Sequence, residues 1–166
     1  MENVQEVPQR YVPKALSLKD KQLQKEYLRK SRKLYKKGKY FSRPKLKSFK
    51  SKPSSHIDNA RRIYGLDKIV PSKELASKTG CSVDTLEKIV HKGRGAYFSS
   101  GSRPNQSAES WGLARLASAV TGGKASGVDY SILEEGCKPN SKALKMARKS
   151  RKKYNYGKRR VPKVVL

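Results

Sequence analysis

Cys81 and Cys137 lie far apart in the chain, with no Cys-x2-Cys pair, and His56 and His91 are the only histidines. A structural zinc ion needs four such ligands converging on one point, and no spacing here suggests it. The expectation is therefore two buried, reduced cysteines and no metal. Cys81 and His91 form a nucleophile–base pair on paper, yet no third residue is placed to orient the imidazole. Ser99 and Ser100 lack the strand–turn–helix context of a nucleophilic serine. Glu134 and Glu135 are adjacent, so on a helix they diverge by about 100° instead of pairing across a substrate. Gly122-Gly123-Lys124-Ala125 fails as a phosphate loop: Ser118 stands where the upstream glycine belongs, and Ala125 replaces the hydroxyl. No constellation meets the geometry of a reaction. The sequence reads as a non-enzyme without a cofactor.

What remains is the chemistry of charge. Lys and Arg number 40 against 13 Asp and Glu, a formal net charge of +27 in 166 residues. Residues 1–18 are neutral, 19–52 carry +13, 53–137 carry +2, and 138–166 carry +12 with no acid. Self-repulsion at that density calls for a polyanion or an acidic partner. Hydrophobic residues make up 35% of the chain, below the roughly 45–50% of typical globular domains. No segment approaches the roughly 18 apolar residues of a bilayer span. The N-terminus, with Glu2 and Glu6 and no apolar run, does not read as a secretory signal. These patterns exclude an integral membrane helix and predict a mainly α chain: a small helical core with extended basic N- and C-terminal arms.

Residues 1–16 form an N-terminal extension, and 17–38 read as a basic amphipathic helix. Its stripe is Leu16, Leu23, Tyr27 and Leu34, its cap Ser17 with Asp20, and its stop Gly38. Residues 39–55 alternate bases with apolar residues between prolines and read as an extended strap. Either Tyr40, Phe41, Leu46 and Phe49, flanked by Arg43, Lys45, Lys47 and Lys50, plug pockets on a partner, or the stretch is a disordered polybasic linker in the free protein. The core, 56–137, opens with a short helix from Ile57 to Tyr64, stopped by Gly65. Ser72 to Val90 has the spacing of a helix-turn-helix, with Ala76 four residues before Gly80 and Leu86 six after it. A DNA-reading version would present Ser82 and Thr85, but beside Asp84 and Glu87, whose charge opposes phosphate.

Residues 92–107 are rich in Gly and Ser and predict a loop whose polar contacts come from Arg94, Ser99, Ser100, Arg103, Asn105 and Gln106. Its polar groups either bind an anion or satisfy one another. A helix capped by Ser107 then carries Trp111, the expected core support, and ends at Gly122-Gly123. A further helix runs from Val128 to Glu135. In the C-terminal arm, 138–166, residues 141–153 are helix-permissive. Its bases are Arg148, Lys149, Arg151, Lys152, Lys153, Lys158, Arg159 and Arg160. The tail from Val161 to Leu166 is β-prone and suited to joining a partner's sheet edge.

The segments Gly95–Ser107, Ser110–Lys124 and Val128–Leu133, together with Tyr11–Asp20 and Arg43–Lys52, resemble a domain of large double-stranded DNA viruses. That family is found in algal and other giant viruses, with divergent relatives in large tailed phages. The likeness covers roughly residues 10–137. It supplies no catalytic residues, and it implies a virion-associated role. The combined expectation is a minor capsid protein on the inner side of the capsid of an icosahedral virion. Its partners would be the major capsid protein and other minor capsid proteins, with an anionic inner membrane surface or viral DNA also in reach. The alternatives are a virion DNA-condensing protein and a ribosomal-type RNA-binding protein.

Overall fold

The computed structural model describes residues 5–153 and 161–166, and their regular structure is nearly all helical. The chain divides into two compact units. The first comprises Met1–Lys52, Arg94–Trp111 and Arg160–Leu166, and the second Pro53–Gly93 and Gly112–Arg159.

In the first unit, strand β1 (Glu6–Pro8) leads through a 3-10 turn, Gln9–Tyr11, to helix α1 (Leu18–Lys36). The Ser17 hydroxyl accepts from the Asp20 amide at 3.1 Å, and Gly38 closes the helix at φ +73°, a conformation that carries little strain only without a Cβ. The residues α1 buries are Asp20, Gln24, Leu28 and Ser31, a seam more polar than its apolar stripe suggests. Gln24 explains one of these: its Nε2 donates to the Tyr11 carbonyl at 2.9 Å. The strap that follows has no helix or strand up to residue 54. Around α1 the core is Val7, Tyr11, Val12, Leu16, Leu28 and Leu46, flanked by Leu23, Tyr27, Phe49, Trp111, Val164 and Leu166.

Strand β2 (Lys163–Val165) pairs antiparallel with β1, Val7 opposite Val164. The Gln9 amide donates to the Pro162 carbonyl at 2.8 Å and the Leu166 amide to Gln5 at 2.9 Å. The expected addition of this tail to a partner's sheet is thus corrected. It pairs within its own chain, because Val164 and Leu166 gain burial on the same small core as Val7.

The second unit holds helices α2 (Ser55–Tyr64) and α3 (Lys73–Thr79), the first part of α4 (Val83–Ser99) and the latter part of α5 (Ala108–Val120). It is completed by α6 (Lys124–Val128), α7 (Tyr130–Gly136) and α8 (Lys142–Lys153). Ser72 caps α3 by accepting from the Leu75 amide at 3.1 Å, and Gly80 ends it in the left-handed region. The core gathers Leu75, Leu86, Ile89, Leu116, Val120, Leu133 and Leu144, with Ala143 and Ala147 bringing α8 into it. Residues 142–153 are therefore a packed helix with a narrow small-residue stripe and a basic outer face.

Two further expectations are corrected. Cys81 and Cys137 form a disulfide. The amide of Ser82 donates to Gly136 and that of Lys138 to Gly80, each at 2.9 Å. This backbone bridge sets the two thiols side by side, a tertiary pairing with no local signature. Second, the loop expected over 92–107 starts only after Ser99, because α4 continues through Gly93 and Gly95. A Cβ on Gly93 would stand 2.6 Å from the Gly112 Cα. The glycine lets two helices approach closely, and packing overrides its poor helix propensity.

Candidate functional site

The first unit joins the basic strap to residues 94–107 through a polar clamp. Arg43 is 9% exposed, and its guanidinium lies over the Tyr97 ring, 3.8 Å from the centroid. Nη1 donates to the Ser31 hydroxyl at 2.9 Å and the Tyr97 carbonyl at 2.7 Å, and Nη2 to the Ser102 hydroxyl at 2.7 Å. The Arg43 amide donates to the Tyr97 hydroxyl at 3.0 Å. All these partners are neutral, and burial lowers the guanidinium's pKa from its ordinary value without removing its charge.

Two smaller clamps hold the rest of the strap. Asn105, at φ +62°, accepts from the Leu46 amide at 2.7 Å and donates to the carbonyls of Leu46 and Phe49 at 3.3 and 2.9 Å. Asp20 Oδ2 accepts from the Ser48 hydroxyl at 2.5 Å and the Ser48 amide at 2.9 Å. These bonds hold the Asp20 carboxyl below the usual carboxylate range.

The expected strap residues therefore separate into two groups. Arg43 and Leu46 are buried, and Phe49 is half-buried on the unit's core. Tyr40, Lys45, Lys47 and Lys50 are exposed. Phe41 is half-buried edge-on to Tyr27, with the Lys30 ammonium 4.5 Å from its ring centroid. Leu46 and Phe49 are thus already packed within the chain.

Of the expected loop contacts, Arg94 pairs with Glu109, its Nε 2.7 Å from the carboxylate. The Ser99 hydroxyl donates to Gly95 at 2.9 Å, and the Ser100 carbonyl accepts from Arg32 at 3.3 Å. Gln106 accepts from the Ser110 hydroxyl at 2.7 Å, and Arg103 is exposed. The polar groups of this segment largely satisfy one another. Trp111 is half-buried and packs edge-on to Tyr11, centroids 5.8 Å apart, supporting the core from its margin. Sequence reading missed Ser31, Tyr97, Ser102 and the Asp20–Ser48 pair. Arg43 meets Tyr97 and Ser102 across 54 and 59 residues, so no local pattern marks them.

In the second unit, α3 and α4 realise the helix-turn-helix spacing, but Thr85 is buried beneath Gly136. Its amide is capped by the Ser82 hydroxyl at 3.1 Å. The exposed face of α4 offers Asp84, paired with Lys88 at 3.3 Å, and Glu87. That face suits packing and solvent better than a DNA groove. Asp129, fully buried, takes Lys92 at 2.9 Å and Arg115 at 2.8 Å. Burial alone would raise its pKa, but the bonds and charges of Arg115 and Lys92 hold it below the ordinary value. On α8, Arg148, Lys149, Lys152 and Lys153 are exposed, and Arg151 stacks over Tyr130 at 4.3 Å. Lys158, Arg159 and Arg160 lie outside the described residues. Among the described residues no cluster of His, Cys, Asp or Glu is arranged to hold a metal ion, and no helix is long and apolar enough to cross a membrane.

Residues 8–135 match a family of unknown function, DUF5824, and since this spans most of the chain, the protein belongs to that family. No curated protein and no solved structure matches it.

Proposed function

We propose that this DUF5824 protein is a non-enzymatic virion structural protein, a minor capsid protein on the inner side of an icosahedral shell. The observation that carries the reading is the distribution of exposed cations. No acid occurs between Glu26 and Asp58, and Arg29, Lys30, Lys33, Lys36, Lys37, Lys39, Lys45, Lys47 and Lys50 are all exposed along α1 and the strap. A second cationic face runs along α8. The resemblance of residues 10–137 to proteins of large double-stranded DNA viruses supports a place in the virion.

Attachment in this reading is electrostatic. Leu46 and Phe49 are occupied within the chain, so the contact to acidic capsid undersides falls to the lysines. On an anionic inner membrane each such base would contribute about 1 kcal/mol. The same cations suit nucleic-acid phosphates, so DNA condensation is the second reading. Gentle disruption of purified virions separates the two. Retention with the shell after nuclease treatment supports the capsid role. Co-purification with the genome core and release by salt would replace it with the second reading.

A further inference from the structure

Three aromatic rings crowd together on the first unit. The Tyr35 and Tyr40 centroids are 6.2 Å apart, and those of Tyr40 and Phe98 are 4.9 Å apart. Tyr97, behind Phe98 with centroids at 5.0 Å, is 1% exposed and belongs to the Arg43 clamp. The outer rings differ from it: Tyr40 is 71% exposed and Tyr35 38%. A tyrosine recruited for packing would turn its face inward, whereas Tyr40 contributes little buried area to the core.

The turn between the two tyrosines is Lys36-Lys37-Gly38-Lys39, and all three lysines are exposed. None of them forms an ion pair among the described residues. The one acid in residues 94–111 is Glu109, already held by Arg94. Two accessible rings, backed by the half-buried Phe98, are thus bordered by three exposed lysines.

We infer that Tyr35, Tyr40 and Phe98, with Lys36, Lys37 and Lys39, bind single-stranded nucleic acid. Unpaired bases stack on the rings and the lysines meet the backbone phosphates. This goes beyond the capsid reading and does not depend on it. A duplex hides its base faces, so the rings add nothing to duplex binding. Charge alone favours the duplex, whose phosphates are denser. A preference for single strands that persists as salt rises therefore reports stacking.

The test is fluorescence anisotropy of the full chain with labelled thymidine and uridine homopolymers and a duplex of equal length, across a salt series. Single strands should bind more tightly than the duplex once salt exceeds the physiological level. Tyr40→Ala should weaken single-strand binding about tenfold and leave the duplex unchanged, with Tyr40→Trp restoring the wild-type value. Because Tyr40 is largely exposed, these variants keep the fold, which circular dichroism verifies. Combined Lys36→Ala, Lys37→Ala and Lys39→Ala should flatten the single-strand salt slope by about 2, at roughly 0.7 per phosphate. Tyr40-dependent binding of either homopolymer supports the site, and the stronger of the two identifies DNA or RNA as its ligand. A duplex preference at every salt concentration, or a Tyr40→Ala variant that binds like wild type, would overturn it.

Discussion

Asn105 treats Leu46 as a neighbouring strand would: its side-chain amide accepts from the Leu46 N–H at 2.7 Å and donates to the Leu46 carbonyl at 3.3 Å. The residue sits at φ +62°, where asparagine is better tolerated than most side chains. Asn105→Ala would strip the bonds from the strap backbone and place an alanine in left-handed geometry. It should lower unfolding free energy by about 2–3 kcal/mol. Asn105→Gly loses the same bonds without the backbone penalty and should lie nearer 2 kcal/mol. Urea titrations of the two variants separate the contributions.

Arg43 is a buried cation with neutral partners, so its geometry matters more than its charge. Lysine retains the charge but cannot reproduce the planar fork or the stack on Tyr97. Arg43→Lys should therefore cost about 2 kcal/mol and Arg43→Ala about 3 kcal/mol or more. If Arg43→Lys unfolds at the wild-type urea concentration, the clamp adds no stability.

The Cys81–Cys137 bridge closes a loop of 56 residues. In the chain-entropy account such a crosslink is worth about 4 kcal/mol. Cys81→Ala combined with Cys137→Ala should lower the denaturation midpoint accordingly, and reductant should do the same to the wild type but not to the double variant. Intact-mass measurement under non-reducing conditions establishes the oxidised state directly.

Asp129 ties stability to acid. Its folded pKa lies below the unfolded value of about 3.9. The stabilisation from Arg115 and Lys92 is therefore complete above that value, and it fades as pH falls through the lower folded pKa. Asp129→Asn leaves two cations facing a neutral amide and should cost about 3 kcal/mol at neutral pH. The gap between wild type and variant should narrow as pH drops below 4. A gap independent of pH would mean the carboxylate charge contributes nothing.

The helices were legible wherever their signals are local. Ser17 with Asp20 and Gly38 bracket α1, Ser72 and Gly80 bracket α3, and Ser107 and Gly122 bracket α5. In each case a capping hydroxyl or a left-handed glycine acts within a few residues of its target. Gly93 misled for the complementary reason: propensity reads it as loop, and only its close approach to the distant Gly112 explains a helix there. The cysteine pairing was hidden in the same way. The polar clamp stayed invisible because Ser31, Ser102 and Tyr97 are unremarkable residue types whose meaning comes from Arg43, far away in sequence. The lysine-rich turn beside Tyr40 was readable as cationic, but not the rings that gather around it.

Pairing of β1 with β2 sets the order in which this molecule can be built. Val7 meets Val164 from nearly opposite ends of the sequence, so that contact is available only after residues 163–165 have been synthesised. Until then the nascent chain must carry Val7 and its neighbours without their strand partner. Bringing such remote segments together is slow compared with local helix formation. Closure of this ribbon is therefore expected among the late events of folding, after the helices of the second unit have formed.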